Sequence, residues 1–127
     1  MPDDFPHIAA HRILVVEDNE LVGMLLAEML EQMGHTVCGV AATEQAAVAA
    51  AAAQLPDLII ADARLGHGSG LAAMSEILRR HDVAHIFMSG DILSLAEQRP
   101  DAVLLEKPFQ QQDLERGIRR AFDSKTI

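Results

Sequence analysis

The chain has 127 residues, a length typical of one domain, and we expect no multidomain layout. Half of the residues are hydrophobic and 23% are charged, a composition typical of globular rather than disordered chains. Nineteen acidic against ten basic residues give a formal net charge of −9, which disfavours nucleic acid and anionic membranes as partners.

Targeting and redox features are few. The single cysteine, Cys38, excludes an intramolecular disulfide, fits a reducing compartment and is expected to be a small core residue. The N-terminal segment has no basic region followed by an apolar stretch, so we expect no signal peptide. No hydrophobic run approaches the roughly 20 residues of a membrane span. Together these features predict a cytoplasmic protein without membrane partners.

The chain order predicts an α/β fold. Residues 1–11 contain two prolines and no periodicity, so we expect a flexible lead-in followed by one domain over residues 12–124. Strands are predicted for residues 12–17, 36–41, 57–61, 84–88 and 102–106. Helices are predicted for residues 20–33, 44–54, 71–81, 92–98 and 110–123. Such alternation is typical of a doubly wound five-stranded parallel sheet with five helices on its two faces.

Several helix ends carry recognisable signals. Either Asp18 or Asn19 is expected to cap the first helix, and Thr43 the second. Gly34 suits the position that follows the first helix, and Pro56 is expected to end the second.

Polar residues follow four of the predicted strands. Glu17 and Asp18 follow the first strand, Asp62 the third, Ser89 the fourth and Lys107 the fifth. In an open α/β sheet, ligands bind outside the carboxyl ends of the strands. Loops are polar in any case, so a single such residue would mean little. Four strand ends with the residue types of one chemistry predict a site at this edge.

These strand ends carry a pattern that resembles a known family. The segments ILVVEDN, DLIIADARLG, FMSG and LLEKPF resemble the receiver domain of bacterial two-component response regulators, with the motifs in the right order. The resemblance runs from about residue 12 to residue 123. It implies the flavodoxin-like (CheY-like) strand order 2-1-3-4-5, which brings Asp18 and Asp62 together.

The resemblance also implies a role for each strand-end residue. Asp62 would accept a phosphoryl group from the phosphohistidine of a histidine kinase or a histidine phosphotransfer protein. Ser89 would hydrogen-bond the phosphoryl group, and Lys107 would pair with it. The peptide bond between Lys107 and Pro108 is cis in this family, against a general frequency of about 5–6% for X–Pro bonds.

A divalent cation, Mg²⁺ or Mn²⁺, belongs to the same implied site. The ligands would be the carboxylates of Glu17, Asp18 and Asp62 and the backbone carbonyl of Arg64. Mg²⁺ favours such hard oxygen ligands. Because three clustered carboxylates repel one another, we expect at least one of them to have a raised pKa without the metal.

The sequence departs from the family pattern in two places. Most receivers carry an aromatic residue three positions before the fifth-strand lysine, where this chain has Leu104. Glu17 replaces the more usual Asp of the acidic pair. The segment 87–91 partly resembles the FAT GUY class of stand-alone receivers, which also lack that aromatic. We therefore expect the output to use a shift or disordering of the helix over 92–98 rather than an aromatic rotamer change.

The predicted function is that of a stand-alone response regulator, not an enzyme in the usual sense. It would signal to a downstream protein through contacts, as a monomer or as a weak homodimer linked to phosphorylation. The first helix and the loops around Asp62 and Lys107 are the expected docking surface for the phosphoryl donor. Three arginines of the last helix form a basic stripe, for which a solvated helix end is the preferred interpretation: Arg116, Arg119 and Arg120.

Other interpretations stay open on the sequence alone. A pseudo-receiver that is never phosphorylated would act as a protein-binding module. A small aspartyl-phosphate phosphatase is disfavoured, since that chemistry favours a second Asp where this chain has Arg64. Ser89 before a glycine is also common in plain turns. The six histidines are scattered and interpreted as structural, although His67 follows Asp62 closely.

Overall fold

The computed structural model describes residues 10–125, and the predicted lead-in over 1–11 therefore lies mostly outside the described residues. Within the described part the chain forms five strands: β1 (Arg12–Val16), β2 (Thr36–Ala41), β3 (Leu58–Asp62), β4 (Ala84–Ser89) and β5 (Val103–Glu106). Five helices alternate with them: α1 (Glu20–Gln32), α2 (Glu44–Gln54), α3 (Gly70–Leu78), α4 (Ile92–Gln98) and α5 (Gln111–Lys125).

The strands form one parallel sheet in the order β2-β1-β3-β4-β5, so the predicted fold class is confirmed. Apart from the exposed Arg12 at the start of β1 and Asp62 at the end of β3, these two strands are hydrophobic and buried, as a covered parallel sheet requires. Alternate β1 side chains point to opposite layers, with Leu14 against α2 and α3 and Ile13 against α1 and α5. The two layers hold the carboxyl ends of the central strands at one edge.

The helix ends follow the local chemistry of the sequence. Of the two candidates for the first cap, Asn19 is the N-cap, and its side chain accepts a hydrogen bond from the backbone N–H of Val22. Thr43 caps α2 in the same way. Leu55 takes a left-handed conformation with φ 47° directly before Pro56, where continued helix is disfavoured.

α3 is shorter than its periodicity predicts. It begins at Gly70 after the N-cap Ser69 and ends at Leu78, three residues before the predicted end. The predicted end is wrong because the backbone N–H groups of both Arg80 and His81 bond to the carbonyl of Ile77, which closes the helix in a turn. The other boundaries are unchanged or differ by one or two residues. No described helix combines the length and the hydrophobicity needed to cross a membrane.

Candidate functional site

The first two acidic residues of the site stand where β1 ends. Glu17 follows the last residue of β1 and is only 3% exposed, whereas the next residue, Asp18, is exposed to solvent. The backbone N–H of Glu17 donates to the carbonyl of Ala41 at the end of β2, which holds it in line with the sheet. The pair therefore offers one buried and one accessible carboxylate.

Asp62 joins this pair from the neighbouring strand. It is the last residue of β3 and is 8% exposed. β1 and β3 are adjacent, with Val16 in register with Ala61, so the two strands end side by side. Carboxylate oxygens of Glu17, Asp18 and Asp62 all lie within 4.8 Å of one another. The structure thus brings together the three predicted acidic residues.

Lys107 places a positive charge inside this group. It follows β5, and its Nζ lies 3.1 Å from Glu17 Oε1 and also donates a hydrogen bond to Asp62 Oδ2. Its backbone N–H donates to the carbonyl of Ser89 at 2.9 Å, which ties the end of β5 to the end of β4. The peptide bond between Lys107 and Pro108 is cis. One ammonium group thus bridges two carboxylates from different strands.

The ionisation of the site reflects its burial. Burial raises the pKa of Glu17 above its usual value, against hydrogen bonds from the Asn19 backbone and from Lys107 that lower it. The charge of Asp62 adds a smaller upward contribution to the pKa of Glu17. A raised carboxyl pKa was predicted from mutual repulsion, but desolvation is the main cause.

The pKa of Lys107 moves in the direction that favours its charge. Burial is the largest single influence and lowers the pKa of this ammonium group, but the hydrogen bonds to Asp62 and Glu17 and the negative charges of those two groups together outweigh it. The net result is a pKa above the usual value, so Lys107 stays protonated in the site.

The loop between β3 and α3 closes over the acidic group. The backbone N–H of Arg64 donates to Asp62 Oδ1 at 3.0 Å, and that of Gly66 donates to Asp18 Oδ2 at 2.6 Å. A Cβ at Gly66 would lie 2.7 Å from the same Asp18 oxygen, so the close approach depends on glycine at this position. Two amides of one loop therefore orient two carboxylates of the site.

The sequence of this site has a clear parallel among known proteins. A family model described as the response regulator receiver domain matches residues 13–119. The chain belongs to this receiver family. Receiver domains are signalling proteins rather than classical enzymes, and they generally bind Mg²⁺ through acidic residues.

Relatives of this receiver include the PhyR proteins. The phyllosphere-induced regulator PhyR of Methylorubrum extorquens is 39% identical over 116 residues, which are 88% of this chain and 43% of that protein. The NMR structure of the PhyR receiver domain from Erythrobacter litoralis matches with a TM-score of 0.81 at 34% identity, over 90% of this chain and 91% of that chain.

A structure of a complex also matches. The anti-anti-sigma factor PhyR of Bartonella quintana, crystallised with the anti-sigma factor NepR, has a TM-score of 0.59 at 35% identity, over 61% of this chain and 33% of that chain. The present chain matches less than half of the length of the M. extorquens PhyR described above.

In the part of the chain that the structure describes, Ser89, Leu104 and His67 take no part in the hydrogen bonds between the charged side chains of this receiver. The Ser89 hydroxyl accepts a hydrogen bond from the backbone N–H of Asp91 at 2.9 Å. Among the described residues, no hydrogen bond joins this hydroxyl to the side chain of Asp62 or Lys107, although the Ser89 carbonyl accepts from the Lys107 backbone N–H. Leu104 is half-buried, lies in register with Phe87 of β4 and packs against the layer formed by α2, α3 and α4. His67 is exposed in the loop after Asp62.

One residue of the site region was missed by sequence reasoning. Glu44, the first residue of α2, accepts a hydrogen bond from the backbone N–H of Ser69 at 2.6 Å. An acidic residue in the first turn of a helix is so common that it gave no signal. The two residues are 25 positions apart in the sequence, so no local pattern indicates that they are in contact.

Proposed function

We propose that this receiver accepts a phosphoryl group on Asp62 from the phosphohistidine of a histidine kinase or a histidine phosphotransfer protein, and then signals by protein contacts. The observation that supports this most is the Lys107 ammonium group between Glu17 and Asp62 at the end of the sheet. An ordinary surface cluster would not hold a buried acid and a matched cation on separate strands.

The carboxylate of Asp62 is oriented for attack. Its Oδ1 accepts from the Arg64 amide and its Oδ2 from Lys107, so both oxygens have fixed directions. In the transfer, a bond forms between an Asp62 oxygen and phosphorus as the phosphorus–nitrogen bond of the donor breaks, and its electron pair returns to the imidazole. The chain contributes position and charge, which phosphoryl transfer needs most.

The acidic group fits a divalent cation. Three carboxylates with oxygens within 4.8 Å of one another form the hard donor set that Mg²⁺ or Mn²⁺ prefers, and the exposed Asp18 gives access from solvent. Glu17, Asp18, Asp62 and the carbonyl of Arg64 would hold the ion. When bound, it supplies positive charge that neutralises the transferring oxygens.

Lys107 and Ser89 are the residues that respond to the new group. A phosphorylated aspartate carries more negative charge than a carboxylate and offers more acceptor oxygens. Lys107 already contacts Asp62 and stays with the phosphoryl oxygens. Ser89 is bonded elsewhere in the unphosphorylated protein: its hydroxyl accepts from the amide of Asp91, the N-cap residue of α4. A turn of the Ser89 side chain towards the phosphoryl group would weaken that bond.

The donor protein docks beside the acidic group. α1 begins just after Asp18 and exposes three large hydrophobic side chains, Leu21, Met24 and Leu25, at 63%, 66% and 55% exposure. Exposed apolar groups at helical spacing, beside an otherwise polar site, are typical of a protein-binding face. The downstream partner is a protein as well, in keeping with the complex of PhyR with NepR.

Intact mass spectrometry after incubation with acetyl phosphate and Mg²⁺ tests the proposal. The wild-type chain is expected to gain one phosphoryl group, and Asp62→Asn none. Asp57→Asn is the matched control, because Asp57 lies directly before β3 and bonds the Arg12 amide instead. A wild-type chain that gains nothing from acetyl phosphate or a donor kinase, yet still binds a protein partner, would support the binding-module function instead.

A further inference from the structure

The carboxylate of Glu44 holds the far end of the loop that follows Asp62. Glu44 Oε2 accepts the backbone N–H of Ser69 at 2.6 Å. The same carboxylate fills the space beside Gly68, where a Cβ would overlap with it and where φ is +102°. A side chain at position 68 would therefore displace the Glu44 carboxylate, and the loop has glycine there.

This contact supplies a helix cap that the α3 sequence lacks. Ser69 is the N-cap of α3, and its hydroxyl accepts from the N–H groups of Leu71 and Ala72. In a capping box, a Glu or Gln three residues later bonds back to the N-cap N–H. That position is Ala72 here, which has no acceptor in its side chain. Glu44 of α2 takes over the missing half of the box.

Fixing Ser69 also fixes Arg64. Ser69 forms an antiparallel bridge with Arg64, and the N–H of Gly70 donates to the carbonyl of Ala63 at 3.0 Å. Arg64 in turn donates its own N–H to Asp62 Oδ1. A chain of backbone contacts thus runs from Glu44 through the loop to the acidic group.

We propose that Glu44 is a positioning residue that sets the divalent-cation affinity of the acidic group by fixing the Arg64 backbone. The proposal rests on the proposed function, because it takes the Arg64 carbonyl as a ligand. A purely structural Glu44 would only stabilise the N-terminus of α2, where an acidic side chain is favourable in any protein. The two roles differ in whether metal affinity changes.

Calorimetric titration of the unphosphorylated protein with Mg²⁺ separates these roles. Glu44→Ala is expected to weaken Mg²⁺ binding about tenfold, the scale of groups that orient metal ligands. Glu44→Gln keeps an acceptor oxygen for the Ser69 amide and should recover most of the affinity. Glu76→Ala is the control. Glu76 lines the same groove between α2 and α3 as Glu44, and its replacement by Ala removes the same charge. Amide exchange over residues 64–69 should accelerate only in Glu44→Ala.

Each other outcome overturns the assignment in a distinct way. Unchanged Mg²⁺ affinity in Glu44→Ala, with or without faster exchange, would leave Glu44 a structural residue. Equal weakening by Glu44→Ala, Glu44→Gln and Glu76→Ala would assign the effect to net charge. If Glu44→Ala does not fold, the comparison of Glu44→Gln with Glu76→Ala decides. A Mg²⁺ affinity of Glu44→Gln well below that of Glu76→Ala would contradict the role given to the acceptor oxygen at position 44. A wild-type chain that binds no Mg²⁺ would overturn the proposed metal site itself.

Discussion

Lys107 shows how one residue balances the charge of the site. Three carboxylates meet within 4.8 Å, and the ammonium group between two of them limits their repulsion. The Lys107 side chain is 27% exposed. Because lysine carries a compact charge on a flexible stem, it can follow a transferred group more freely than the planar guanidinium group of an arginine. The buried Glu17 keeps that lysine in place.

At the residue scale, the sequence predicted where the strand-end residues lie and that Thr43 caps α2, but it did not predict two contacts near the site. That Glu17, Asp62 and Lys107 lie at one edge of the sheet was predictable, because the carboxyl ends of parallel strands share that edge. Which of these residues are neighbours followed only from the strand order that the resemblance implies. The present partner of Ser89 was not predictable, since a hydroxyl rotates to whichever donor the turn supplies. Glu44 was not predictable because its partner belongs to another loop.

Gly66→Ala is expected to disturb the metal site without unfolding the loop. The new Cβ would lie 2.7 Å from Asp18 Oδ2 and push that carboxylate away from the other two. Calorimetry should show Mg²⁺ affinity reduced about tenfold. Gly90→Ala is the control, because a Cβ there meets nothing within 4 Å. Equal affinities in both variants would contradict the role given to the Gly66 approach.

At the scale of elements, α4 is the least anchored helix near the site. It has seven residues, of which only Leu95 is buried, and Leu93 is 79% exposed. Its N-cap residue, Asp91, bonds the Ser89 hydroxyl through its backbone N–H. The neighbouring β5 carries Leu104 in place of an aromatic residue, so no ring is present there to change rotamer.

Phosphorylation is therefore expected to loosen the start of α4. When Ser89 turns towards the phosphoryl group, the Asp91 amide loses its acceptor, and the short helix has little burial to retain it. Amide exchange with and without beryllofluoride and Mg²⁺ should show faster exchange across residues 90–106. Unchanged protection in that segment, with beryllofluoride bound, would exclude this output route.

The opposite edge of the sheet contains a buried histidine that predicts pH-dependent stability. His35 is 4% exposed, its Nδ1 accepts from the His11 backbone N–H at 3.1 Å, and its Nε2 has no partner among the described residues. The His11 ring stacks between His35 and Phe122 of α5. Burial, with a smaller contribution from the charge of His11, lowers the pKa of His35 below 6.5.

The free energy of unfolding should consequently fall as the pH drops below 6.5, because His35 then binds a proton more readily in the unfolded chain than in the folded one. Urea unfolding at about pH 7.5 and about pH 5.5 measures the difference. His35→Asn retains an acceptor for the His11 amide but does not titrate, so its pH dependence should be weaker. Identical pH dependence in the two proteins would assign the effect to other groups.

At the scale of the whole molecule, the fold followed from hydrophobic patterning alone to the level of its class. Alternating strands and helices indicated a parallel sheet, and right-handed crossovers leave few arrangements of five strands. The order β2-β1-β3-β4-β5 came from the resemblance to receivers, since periodicity does not encode which strands pair. That order places the end of β1 beside the end of β3 and thereby creates the site.

The measurement that tests the central claim most directly is the location of the phosphoryl group. Borohydride reduction of the protein after treatment with acetyl phosphate and Mg²⁺ converts a phosphorylated aspartate to homoserine, which peptide sequencing by mass spectrometry identifies. We predict homoserine at position 62 and none when Mg²⁺ is removed with a chelator. Homoserine at another aspartate, or unmodified Asp62 in a chain that has gained phosphate, would contradict the account.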